Sequence, residues 1–264
     1  MIAVACIAVL LGWYLWAHRL YHRKFPGKAA PPARVFFFLL GSLVLMAALG
    51  PPLDSLSERS FTFHMTQHIG LTMIAPPLLL LGAPLLYILG TLPRRLARSF
   101  SRMLRSWPIT TVFSPVTAWL LFVAVMWISH FSPLYNSALE DWRVHLFEHA
   151  LYFWTAIFFW SAVVQTGFIP YRLSFPARML FVFLAIPQGA FLGLALYQTR
   201  YVLFAHYANG QTLAATLADQ HNGGAVMWIA GGMTFFTAFM LTAGMWAVRE
   251  QPPRLATASR GPGF

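Results

Sequence analysis

The sequence predicts an all-α membrane protein, a seven-transmembrane-helix bundle with its N-terminus outside and its C-terminus cytoplasmic. Three observations lead there: an extreme apolar composition, seven apolar runs of crossing length, and basic residues gathered in alternate connections. Of 264 residues 58% are hydrophobic and only 9% are charged, and mean hydropathy is +0.63. A soluble domain carries about 25% charged residues. Too little polar surface exists here to cover a globule of this length, so the matching solvent is lipid.

The runs are taken in chain order. The first, 1–17, is short, with an outer end expected to fray; it lacks the positive leader and small-residue cleavage site of a signal peptide, so it reads as a retained helix. The second is 34–51. The third, 63–90, is long and interrupted by Pro76, Pro77 and Pro84, which remove helix donors and predict a kink or break. The fourth to seventh are 110–131, 144–165, 177–200 and 225–248, each near the roughly 20 residues a bilayer core requires. Residues 1–248 thus form one transmembrane domain, and 249–264, rich in Pro, Gly and Arg, form a flexible cytoplasmic tail. No internal repeat is evident.

Charge orients the bundle. Arg19, Arg23, Lys24, Lys28 and Arg34 lie between spans one and two, and Arg94, Arg95, Arg98, Arg102 and Arg105 between three and four. Arg172 and Arg178 lie between five and six, and Arg249, Arg254 and Arg260 in the tail. That places 15 of 18 basic residues on one side, leaving Arg59, Arg143 and Arg200 on the other. The positive-inside rule makes the first side cytoplasmic. Asp54, Glu58, Glu140, Asp141, Glu148 and Asp219 fall on or near the outer side. The net charge of +11 is therefore an orientation signal. No aromatic-interleaved basic stripe accompanies it, which argues against a nucleic-acid partner. Within 93–107, four arginines recur at helical spacing opposite Leu96, Phe100, Met103, Leu104 and Trp107, predicting an interfacial helix on anionic membrane lipid.

Chemistry concentrates in the histidines. His18 and His22 close the first span beside Arg19 and Arg23 and read as part of a basic interfacial patch. The other seven map to the outer side. His64 and His68 open the third span, His145 and His149 the fifth, His130 ends the fourth, and His206 and His221 lie in the 201–224 connection. Residues four apart share a helix face, so each pair can direct two imidazoles at one ion. Neutral imidazole suits copper, zinc, iron or nickel. Glu148 and Asp219 are candidate carboxylate ligands or acceptors that orient a ring, and Met65 and Met227 supply soft thioethers that favour Cu(I). From the residues alone the site reads as one for a late first-row transition metal. His145 to His149 also matches H-x-x-E-H, which admits a metal-dependent membrane hydrolase with Glu148 as base. A haem held by two histidines is a further option. The lone Cys6 excludes a disulfide framework and any CxxC site.

The order of motifs resembles one family. Phe63-His64-Met65-Thr66-Gln67-His68, then Ala75-Pro76-Pro77-Leu78 and Leu81-Gly82-Ala83-Pro84, are similar to the hallmark of the multi-pass cytochrome c oxidase assembly factors (CtaG, serving caa3-type oxidases). His130-Phe131-Ser132-Pro133-Leu134-Tyr135, His145, Glu148-His149, Asp219-Gln220, Gly223-Gly224 and Met227-Trp228 continue the pattern, so it runs from about 35 to 248. Asn136 departs from it, standing where an acidic residue is expected. The resemblance implies a bacterial cytoplasmic (inner) membrane protein that matures a haem–copper oxidase by handling copper on the non-cytoplasmic side. It makes His64, His68, His145 and His149 the metal ligands, with His130, Glu148, Asp219, His221 and Met65 as further candidates. The implied partners are an oxidase subunit in the same membrane and a periplasmic copper chaperone. The expected role is that of a metallochaperone rather than an enzyme. A copper permease is the transport alternative, but it needs a polar path, and the inner halves of the spans offer little beyond Gln165 and Gln188.

Overall fold

The computed structural model describes residues 2–27, 31–166 and 170–250. Lys28, Arg254, Arg260 and the rest of the expected tail beyond Glu250 lie outside the described residues, as does the side chain of Asn136. Among the described residues every regular element is a helix. In order they are α1 (Ile2–Lys24), α2 (Pro32–Leu49), α3 (Leu53–Ser57), α4 (Phe61–Ile69), a π-turn (Gly70–Ile74), α5 (Ala75–Leu81), α6 (Pro84–Thr91), α7 (Arg94–Leu104), α8 (Trp107–Val112), α9 (Pro115–Phe131), α10 (Pro133–Glu140), α11 (Trp142–Val164), α12 (Phe175–Gln198), a 3-10 turn (Ala205–Ala208) and α13 (Leu213–Glu250).

All seven apolar runs fall on helices, but five of these are long and apolar enough to cross a membrane, or six if the bent segment Phe61–Thr91 is one span. The fourth run is the one that shortens. Ser114 accepts a hydrogen bond from the Thr117 N–H, and Pro115 occupies the first helical turn, so a new helix starts there and α8 is cut off. The remaining α9 has 17 residues.

Two other boundaries also differ from expectation. The helix of the first run continues to Lys24, because His22, Arg23 and Lys24 in its last turn complement the helix dipole. The last helix starts at Leu213, inside the expected 201–224 connection, and runs for 38 residues. At 1.5 Å per residue it is about 57 Å long, well beyond a hydrocarbon core of about 30 Å.

The broken third span shows how a membrane helix tolerates proline. Pro76 has no N–H for the Thr72 carbonyl, and the Trp160 indole N–H of α11 bonds that carbonyl instead, at 2.9 Å. Pro84 likewise cannot serve Leu80, whose carbonyl accepts from the Ala83 N–H at 2.8 Å and from the Thr166 hydroxyl. The Tyr14 hydroxyl of α1 donates to the Gly82 carbonyl at 2.9 Å. Ala83 takes a left-handed conformation, φ 50°, and the chain leaves the break bent by 45°. Lipid offers no substitute partner, so side chains from neighbouring helices must supply the donors.

Helices α12 and α13 pair closely. A Cβ on Gly193 would sit 2.8 Å from the Gly224 carbonyl oxygen, and one on Gly224 would sit 2.8 Å from that of Gly193. Only glycine permits that approach, the usual device of helix pairs in lipid. The main core gathers Phe122, Phe159, Trp160 and Phe235 from α9, α11 and α13. A smaller one ties α1 to α2 and α6 through Tyr14, Tyr21, Phe38 and Tyr87. A third, formed by Phe61, Met65, Tyr135, Leu196, Phe204 and Tyr207, closes the end where α4 begins. Helix α7 stands off the bundle with Arg94, Arg95, Arg98 and Arg102 exposed.

A histidine and carboxylate cluster as candidate metal centre

The i, i+4 pairs of α4 and α11 face each other. The ring centroids of His64 lie 5.5 Å from His145 and 6.3 Å from His149, and those of His68 and His149 are 5.6 Å apart. Within α4 the two Nε2 atoms of His64 and His68 are 2.9 Å apart. Ligand atoms of His64, His145 and His149 all lie within 4.8 Å of one another, as do those of His64, His68 and Glu148. The sets share His64, so the five side chains make one cluster. All are buried except His145, which is partly buried and the most exposed of the five.

Hydrogen bonding prepares the rings as lone-pair donors. His130, at the end of α9, meets the Met126 carbonyl with Nδ1 at 2.7 Å. A carbonyl only accepts, so Nδ1 carries the proton and Nε2 presents a lone pair. His64 Nδ1 lies 3.0 Å from the Tyr207 hydroxyl, which donates to the Ser57 carbonyl at 3.2 Å. With the phenol proton given to Ser57, the phenol oxygen accepts from His64 Nδ1–H, and His64 Nε2 is the unprotonated nitrogen, accepting from His68 Nε2. Such partners set tautomer and ring orientation at metal centres.

Buried polar atoms normally find partners. Eleven buried side-chain N and O atoms of the described residues have none. Six of them belong to this cluster and its neighbour His130: His68 Nδ1, His130 Nε2, His145 Nε2, His149 Nε2 and both oxygens of Glu148. Unpartnered polar atoms gathered at one point, on residue types that can ligate a metal, make this cluster a candidate metal centre. The surrounding phenols are not its anionic ligands. Burial, with the Asp219 and Glu148 charges adding to it, pushes the Tyr207 hydroxyl well above the usual phenol range. Burial also raises Tyr135, with Tyr207 beside it. Both stay protonated.

The remaining sequence candidates have other duties. Asp219 takes hydrogen bonds from Ser60 Oγ at 2.8 Å, the Phe61 N–H at 2.6 Å and the Thr62 hydroxyl at 2.6 Å. It therefore caps α4 from α13, which explains a carboxylate at that depth without a metal. His221 bonds the Thr199 carbonyl at 2.8 Å, and His206 the Glu58 carbonyl at 3.1 Å. Met65 packs with Phe61 in the apolar cluster that closes the end of the bundle. Tyr207 and Tyr152 were not apparent in the sequence. Tyr152, three residues after His149 on α11, bonds Ser129 and rests 4.6 Å from the His68 ring.

The chain is 28% identical over 261 residues to an uncharacterised protein of Mycobacterium bovis and to one of Mycobacterium tuberculosis, covering 95% of this chain and 39% of each relative. An uncharacterised protein of Mycobacterium leprae is 28% identical over 234 residues, 85% of this chain and 36% of that one. The chain thus spans about two fifths of the length of these curated relatives. No solved structure matches it. The family model of the cytochrome c oxidase caa3 assembly factors (Caa3_CtaG) matches residues 12–249, and the chain belongs to that family.

Proposed function

We propose that this member of the family is a metallochaperone that holds copper as its cargo among His64, His68, His145, His149 and Glu148. It passes the ion to a haem–copper oxidase subunit in the same membrane. The observation that carries the reading is Glu148, a carboxylate only 1% exposed with neither oxygen hydrogen-bonded, set among four imidazoles. A carboxyl at such a place is costly to ionise unless a cation pairs it. A late first-row cation would pair it while taking the imidazole lone pairs, and imidazole suits copper. His130 Nε2 offers a further nitrogen close behind His68, the two rings being 6.3 Å apart. His145 is the exchange position, being the least buried of the five.

In this reading the chain makes seven crossings of a bacterial inner membrane, α9 being the short one. The amino terminus and the copper centre lie on the non-cytoplasmic side, where a periplasmic copper chaperone can reach them. Helix α7 lies on the inner-leaflet lipid, and the tail from Arg249 onward is cytoplasmic. The test is copper analysis of purified wild type beside His64→Ala and His145→Ala. At least about one equivalent is expected in wild type and a large loss in both variants; equal copper in all three sinks the proposal. Retained metal with loss of a hydrolytic activity in Glu148→Gln would instead identify a hydrolase.

A further inference from the structure

The imidazole cluster has a neighbour deeper in the bundle, a void bordered by three methionines. Met73 follows His68 by five residues across the π-turn, and Met126 precedes His130 by four on α9. Both lie about one helical turn further from the end where α4 begins. With Met227 of α13 they line an internal void of about 20 Å³, bordered by Gln188, Gly231 and Phe235. Gly231 helps to leave the room: a Cβ there would come within 3.8 Å of Met73 Cε.

Methionine is a common filler of irregular cores, but a filler closes its gap, and here three border one that is left, with Phe122, Gly189 and Leu192 completing its wall. The void is about the size of one water, which needs two to four polar partners. It has a single side-chain amide, Gln188, whose oxygen already accepts from the Trp127 indole N–H at 3.3 Å. Thioether sulfur is a weak acceptor for water and a good ligand for Cu(I). The two sites are joined through Met126, whose carbonyl fixes His130 at 2.7 Å while the residue lines the void.

We propose that Met73, Met126 and Met227 form a second site, a thioether site for a soft monovalent cation, beneath the imidazole centre. Assigning Cu(I) as its ion rests on the copper reading above; the sulfur site itself does not. It would hold the ion out of contact with water, one helical turn from the nitrogens that exchange it.

The test is X-ray absorption at the copper edge on full-length protein in detergent, loaded anaerobically with Cu(I) at rising ratios. Wild type is expected to bind two equivalents and to show nitrogen and sulfur scatterers at bonding distance. The triple variant Met73→Leu, Met126→Leu, Met227→Leu, chosen to conserve volume, is expected to lose the sulfur shell and one equivalent while keeping the nitrogen shell. Its elution profile and thermal unfolding report on folding; if it fails to fold, Met227→Leu alone is expected to lower the sulfur count by one. Absence of sulfur in wild type overturns the proposal. So does a sulfur shell that survives the triple variant, which would trace to Met65. Sulfur without nitrogen in wild type would remove the imidazole reading and leave this one standing.

Discussion

Nδ1 of His64 lies 3.0 Å from the hydroxyl of Tyr207, a residue 143 positions further along the chain. Through the onward bond from Tyr207 to the Ser57 carbonyl, that contact turns the lone pair of His64 Nε2 toward the other imidazoles. Tyr207→Phe removes the acceptor but keeps the ring. Copper affinity, measured by competition with a chelator, is expected to fall about 10- to 100-fold, as is usual for such outer partners. Unchanged affinity would mean that His64 does not bind through Nε2.

Glu148→Gln tests the unpaired carboxylate. Replacing a buried carboxyl that has no hydrogen-bond partner by an amide of the same shape leaves the copper-free protein about as stable as before. The rise in thermal midpoint on adding Cu(I) is expected to shrink, because the ion loses its counter-charge. A variant markedly less stable without metal, and equally stabilised by it, would contradict the assignment.

Asp219→Asn addresses capping separately from metal binding. The amide keeps an acceptor but loses the charge that favours the amino end of α4. Both oxygens of Asp219 accept hydrogen bonds, so the amide NH2 leaves one donor unmatched; a loss of about 1–3 kcal/mol is expected, read as a lower unfolding midpoint in detergent with copper stoichiometry preserved. Loss of copper with unchanged stability would restore Asp219 as a ligand.

Trp160→Phe leaves the Thr72 carbonyl without a donor where Pro76 provides none. The expected cost is about 1–3 kcal/mol for the stranded acceptor. Hydrogen exchange of amides in α4 and α5 should rise more than that in α12. A uniform change across the bundle would point to lost packing alone.

The orientation can be read with reporter fusions. A protein that fluoresces only in the cytoplasm, fused after Glu250, is expected to be bright, and an export-dependent phosphatase fused after Asn209 to be active. The reverse pattern would place the imidazole cluster on the cytoplasmic side.

The amino-acid sequence by itself determined the lipid-soluble class, the apolar runs, the charge asymmetry and the two histidine pairs. Each depends on local composition or on spacing within one helix, so no knowledge of neighbouring helices is needed. The pair His64 and His68 is legible because residues four apart must share a face. What faces that pair is a different matter. The meeting of α4 with α11, the Tyr207 contact, the capping of α4 by Asp219 from 157 to 159 residues away, and the rescue of Thr72 by Trp160 from 88 residues away were decided by tertiary structure. A carboxylate before the last span reads equally well as ligand or cap until its partners are known. The same holds for the proline-broken span, whose bend was foreseeable but whose donors were not. Backbone groups freed inside lipid have no water to bond, so helix packing alone settles which side chain satisfies them.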